Sequence, residues 1–223
     1  FLFLNAFNFV QCDNLEWTEL TPTAEFGQVN SASAVVHDNK IVFMGGWNLN
    51  KVWVSSNGIT WTEAPTAAWS ARHASCSVVY NNKIYLIAGR DSTGAYLNDV
   101  WLSEDTGASW SLVTADAGWP VRRYFSSVVS DTLQKMFIMG GENGSGSLSD
   151  VWSSVDGVTW TEATPTAPWG ARSYFTSVYL NDKIYMMNGW GTGYHNDVWS
   201  SADGGVNWVE VTASAPWLPR DST

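Results

Sequence analysis

Residues 61–110 open with Trp61, a polar run, Trp69 and Arg72, followed by Ser75-Cys76-Ser77-Val78-Val79-Tyr80. Asn81-Asn82 comes next, then Lys83-Ile84-Tyr85-Leu86-Ile87-Ala88-Gly89, a polar loop, and Asn98-Asp99-Val100-Trp101. The stretch closes on Ser103-Glu104-Asp105-Thr106-Gly107-Ala108-Ser109-Trp110, and the same order of residues begins again. The tryptophans carry the period. Trp17, Trp61, Trp110, Trp160 and Trp208 lie 44, 49, 50 and 48 residues apart. Trp53, Trp101, Trp152 and Trp199 form a second ladder, and Phe26, Trp69, Trp119, Trp169 and Trp217 a third. Of 15 tryptophans only Trp47 and Trp190 fall outside, and each follows a glycine at the same place in its repeat. A short-strand unit repeated at about 50 residues predicts stacked sheet modules, as in a propeller.

Each repeat reads as four strands. The first alternates small and apolar residues, as in Ser127-Val128-Val129. The second follows an Asp/Asn pair and a lysine, as in Asn181-Asp182-Lys183-Ile184-Tyr185. Such pairs tolerate positive φ and suit tight hairpins. The third holds Val-Trp, preceded by Asp in three repeats, and the fourth lies at the ladder tryptophan that ends the unit. No segment sustains a helical period, and β-branched and aromatic residues bounded by Gly and Asn favour strands. The expected fold is all-β: a propeller of four-stranded antiparallel blades. Four are complete, at about 18–61, 62–110, 111–160 and 161–208. Residues 209–223 then read as the start of a further blade. Residues 1–17 read either as a degenerate strand pair, Phe7 to Trp17, or as the remnant of a secretory signal segment. The expectation is therefore four full blades within an incomplete, larger ring.

The repeats resemble kelch repeats: a small-residue strand, a Lys-Ile-Tyr strand, a Gly-Gly-like pair and a spaced Trp. The pairs are Gly45-Gly46, Ala88-Gly89, Gly140-Gly141 and Asn188-Gly189. The turn before the ladder tryptophan also resembles the Asp-box of sialidases. Ser103 to Trp110 fits fully, Ser201 to Trp208 fits apart from Asn207, and Ser154 to Trp160 and Ser55 to Trp61 are one residue shorter. Both resemblances concern framework, and a framework does not define a function.

Composition narrows the classes. With 45% hydrophobic and 14% charged residues the chain is an ordered globular protein. A net charge of −10 makes nucleic acid or an anionic membrane a poor partner. No stretch is long and apolar enough for a transmembrane segment. Two cysteines, Cys12 and Cys76, do not make a disulfide framework, and Cys76 reads as a small buried strand residue. Three histidines in unrelated repeat positions supply no metal set, so no cofactor is implied.

Propeller geometry sorts the remaining residues. The blade-to-blade connections and the loops between second and third strands share one face. Arg72, Arg122, Arg172 and Arg220 lie there, each three residues after a ladder Trp, with Val29 in the first repeat. Arg123 and His73 follow one place on, and the long loops add Trp47, Asp91, Tyr96, Glu142, Trp190, Tyr194 and His195. Arginine forks onto carboxylates and phosphates, and aromatic platforms suit sugars and peptide side chains. The bland alternative is that the repeated arginine bonds carbonyls of a neighbouring blade. Asp99, Asp150 and Asp197 read as turn or strand caps. The kelch resemblance implies a non-catalytic module that binds a protein or glycan through the loop face. Alternatives are a sialidase-like glycoside hydrolase, with Tyr96, Tyr194, Glu142 and Asp91 as its loop-face candidates, and a structural subunit of a larger assembly. A secreted or extracytoplasmic location fits the apolar start.

Overall fold

The computed structural model describes residues 18–220. Its described residues form four antiparallel blade sheets and a small two-stranded sheet of Glu142–Asn143 with Gly146–Ser147, and among them no helix is long and apolar enough to cross a membrane. The readings for residues 1–17, including the Phe7–Trp17 strand pair and Cys12, lie outside the described residues. The first blade comprises Ser33–His37, Lys40–Met44, Val52–Ser55 and Thr62–Glu63. The second comprises Cys76–Tyr80, Lys83–Asp91, Tyr96–Ser103 and Ser111–Thr114, with Arg72–His73 added at its upper end. The third comprises Ser126–Ser130, Lys135–Met139, Val151–Ser154 and Thr161–Thr164. The fourth comprises Thr176–Leu180, Lys183–Met187, Val198–Ser201 and Val209–Thr212. The strands pair in chain order within every blade, and the innermost strands of successive blades pack on one another. This is a β-propeller with four blades.

One boundary differs from the expectation. The ladder tryptophan precedes the outermost strand, so each blade extends a few residues past it, and Val209–Thr212 completes the fourth blade. The physical reason lies in the turn. Asp105 Oδ1 accepts from Ser109 N–H and Ser103 Oγ donates to it, while Trp110 Nε1 donates to Gly107 O at 3.2 Å. Trp160 and Trp208 repeat the bond to Gly157 O and Gly205 O. The tryptophan thus closes its own turn before the strand begins.

The core lies between blades. Trp69 packs edge-on against Trp110, Trp119 against Trp160 and Trp169 against Trp208, each with centroids 6.0 Å apart. Phe26 meets Trp61 in the same way at 5.1 Å. Three apolar clusters result, one per blade junction, built on Val42, Met44 and Leu86, on Ile87, Val100 and Ile138, and on Phe137, Met139 and Met186. Cys76 fills the second junction. Its thiol donates to Phe125 O, and burial pushes its pKa up to about 12, which keeps it an unreactive thiol.

Candidate functional site

The recurring arginine is framework. Arg72, Arg122 and Arg172 are 1%, 0% and 2% exposed, so three of the loop-face candidates turn inward. Each forks onto the aspartate of its own blade. Arg122 Nη1 and Nη2 reach Asp150 Oδ1 and Oδ2 at 2.9 and 2.6 Å. Arg72 does the same with Asp99 and Arg172 with Asp197. The second carboxylate oxygen also accepts from Trp101, Trp152 or Trp199 Nε1. The remaining Nη1 hydrogen goes to Ala88, Gly140 or Asn188 O. Asp99, Asp150 and Asp197 are therefore ion-pair partners rather than caps. The guanidinium serves its own blade; only the arginine backbone serves the neighbour, Arg172 O accepting from Gly141 N–H and Arg122 O from Gly89 N–H.

The first repeat supports this pairing. It has Val29 for the arginine and Lys51 for the aspartate, so both partners are missing together. Lys51 pairs instead with Glu63 at 2.9 Å. Arg220 is exposed, and its Nε bonds Leu218 O.

The other candidates separate into small groups on the same face. Arg123 holds Glu142 at 2.8 Å and lies over the rings of Tyr96 and Tyr124. Trp190 and Tyr194 are 42% and 57% exposed and meet edge-to-face at 4.7 Å. His195 is half-buried beside them and bridges to Arg220. Burial, then Arg172, lowers its pKa despite Asp197. Trp47 is 51% exposed and covers the His73 ring at 4.3 Å.

At the axis lies a cavity of about 460 Å³. All four blades line it, through Asn30–Ala32, Ala74–Ser75, Tyr124–Phe125 and Tyr174–Phe175. These segments precede the innermost strands, and they join around the axis by backbone bonds: Ala74 N to Ser31 O, Tyr124 N to Ala74 O, Tyr174 N to Tyr124 O. Ser31, Ala74, Tyr124 and Tyr174 all have φ between 51° and 55°. A non-glycine residue held there is costly and persists only where its surroundings demand it. Tyr124 and Tyr174 stack with centroids 3.9 Å apart, and burial, then Tyr124, raises the Tyr174 pKa. Ser75 Oγ is buried in this wall with no hydrogen-bond partner among the described residues. These residues are not among the candidates that the loop-face pattern selects; their signal in the sequence is the parallel Arg122-Arg123-Tyr124-Phe125 and Arg172-Ser173-Tyr174-Phe175. A larger hollow, about 530 Å³, lies on the opposite face between the Asn57 and Asp105 turns. Its Asn57 amide and Asp105 carboxylate are committed to closing those turns, and its Glu63 carboxylate pairs with Lys51.

Radially arranged four-stranded blades, a Gly-Gly-like pair in or after each second strand (Gly45-Gly46, Ala88-Gly89, Gly140-Gly141 and Asn188-Gly189) and a ringed axial cavity define a kelch-type propeller. The chain belongs to the kelch-repeat family: the KLHDC2/KLHL20/DRC7 Kelch-repeats domain matches residues 48–221. The solved structure titled "Structure of YjhT" is similar with a TM-score of 0.75 at 14% identity, over 92% of this chain and 76% of that one. At such identity the likeness concerns the fold. No curated protein matches the chain.

Proposed function

We propose that this propeller is a non-catalytic module that binds a protein segment over its axial cavity and surrounding loop face. The cavity carries the reading: it joins all four blades, presents the Tyr124–Tyr174 stack and the Phe125 and Phe175 side of the wall, and holds a Ser75 hydroxyl that has no partner among the described residues. Apolar walls with few polar groups suit a ligand that is oriented rather than transformed. Exposed Trp190 and Tyr194 extend the apolar surface beyond the mouth, as aromatic residues do at protein interfaces. The carboxylates that a glycosidase would need are occupied. Glu142 is ion-paired with Arg123, and Asp91 Oδ1 accepts from Thr93 and Ala95 within its own turn. This favours binding over hydrolysis.

The test is capture of a partner followed by site-directed disruption. A protein retained by the chain should be lost from the Tyr124→Ala/Tyr174→Ala double variant and kept by Val158→Ser, which alters an exposed turn on the opposite face. Loss with Val158→Ser alone would move the interface to the other face. Saturable binding to immobilised oligosaccharides, with no protein retained, would replace the protein ligand by a glycan.

A further inference from the structure

A second pocket, off the axis, lies where the first blade meets the second. Its volume is about 180 Å³, and its walls include Trp47, His73, Arg90, Asp91, Thr93 and Gly94. His73 is 2% exposed, yet neither ring nitrogen has a hydrogen-bond partner among the described residues. Leaving such a group unsatisfied is expensive, so a buried imidazole with two free nitrogens asks for a ligand. Arg90 is also incomplete. Its Nε donates to Gly94 O at 2.9 Å and its guanidinium lies over Tyr96, but among the described residues it has no carboxylate partner. The wall's own carboxylate, Asp91, is engaged within its turn, its Oδ1 taking bonds from Thr93 and Ala95.

The repeat shows what is missing. His73 and Arg90 are cross-strand neighbours in the second blade, and Arg123 and Glu142 occupy the same places in the third. There the cation and the carboxylate are both built in, at 2.8 Å. In the second blade a donor stands at each place and the acceptor is absent. We propose that the pocket between the first and second blades binds a carboxylate, gripped by the Arg90 guanidinium and a His73 ring N–H beside the Trp47 ring. Burial lowers the His73 pKa, and Arg123 and Arg90 lower it further, so near neutral pH the ring is uncharged and donates from one nitrogen, while Arg90 supplies the positive charge despite the −10 net charge of the whole chain. That net charge acts over distances at which salt screens it, whereas the pocket acts at contact. The inference is independent of the axial cavity.

The carboxylate has two possible sources, a free small acid or the side chain of an acidic residue on a bound protein. Proton NMR of the His73 ring separates them, because the chain has only three histidines. Titrants are acetate, N-acetyl-glutamate α-methylamide and its glutamine counterpart, at constant ionic strength. A saturable shift of the His73 signal with either acid, absent with the glutamine compound, supports the proposal. Equal affinities assign a free acid, and tighter binding of the glutamate compound assigns a side chain. Arg90→Gln should weaken binding about tenfold or more, as loss of a charge-assisted bond does. If that variant does not fold, Trp47→Ala, at an exposed position, should reduce the affinity instead. An unmoved His73 signal, equal response to the glutamine compound, or full affinity in the soluble variant overturns the proposal.

Discussion

The buried Arg–Asp pairs are the clearest case of one residue deciding its surroundings. Removing one charge strands the other in the interior, and such losses are about 3–5 kcal/mol. Asp150→Ala should therefore cost that much in denaturant unfolding, with Arg122 left 0% exposed and unpaired. The joint replacement Arg122→Met/Asp150→Leu should recover most of it; a double variant as unstable as the single one would contradict the pairing. Acid should act through the same kind of group. At Asp197 burial works to raise the pKa, but hydrogen bonds from Arg172 and Trp199 outweigh it and hold the carboxylate below its usual range. Asp105, Asp156 and Asp203 are held low by their turn hydrogen bonds, again against burial. A depressed folded pKa contributes stability that is present above the unfolded value of about 4 and is lost as pH falls through the folded value. Thermal midpoints should be level from pH 7 to about 5 and fall below about 4; a level profile down to pH 3 would refute the assignment. The recurrence of Arg72, Arg122 and Arg172 was legible in the sequence, but their inward direction was not. Recurrence places a residue on a face, and only its partner decides whether it points to solvent. The joint appearance of Val29 and Lys51 in the first repeat was the signal for that partner.

Within a blade, the ladder tryptophan and the glycine pair are the two points at which the element is closed. Trp160 is 8% exposed at the junction of the second and third blades. Trp160→Ala empties a large aromatic site and should cost roughly 3–5 kcal/mol, read as a shift in denaturant midpoint at constant slope. A melt unchanged within a degree or two would remove the tryptophan from the core. Gly141 has φ 93°, and a Cβ there would lie 2.6 Å from Phe125 Cβ and 2.7 Å from Arg123 O. Its N–H also reaches across to Arg172 O of the next blade. Gly141→Ala should be destabilising by about 1–3 kcal/mol from backbone strain alone, more with the clash. Stability equal to wild type would show that the junction yields. Strand content, hairpin pairs and blade count were all readable, because a period-2 pattern and Asn/Asp turn chemistry act locally. The outer strand boundaries were not. The Trp110 side chain bonds its own turn at Gly107 O, and no residue pattern distinguishes the last turn residue from the first strand residue.

On the scale of the whole molecule, four near-equivalent blades converge on one axis, and they depart from equivalence at the axis and in the loops. Tyr124 and Tyr174 form a stack, whereas Ser31 and Ala74 hold the equivalent places in the first two blades. Loop length varies in the same way, from the extended turn at 91–96 to the small hairpin of Glu142–Asn143 with Gly146–Ser147. The loop face was legible from topology, and Arg123, Tyr96, Trp190, Tyr194 and Trp47 are on it. The axial cavity was not, because its walls come from four positions about 50 residues apart whose convergence appears only when the blades are assembled. The most direct measurement is hydrogen–deuterium exchange of the chain with and without a captured partner protein. Protection is expected in the axial segments near 30–32, 74–75, 124–125 and 174–175 and in the loops at 91–96, 142–147 and 190–195. Protection confined to the opposite turns, at 55–61, 103–110, 154–160 and 201–208, would contradict binding over the axial cavity.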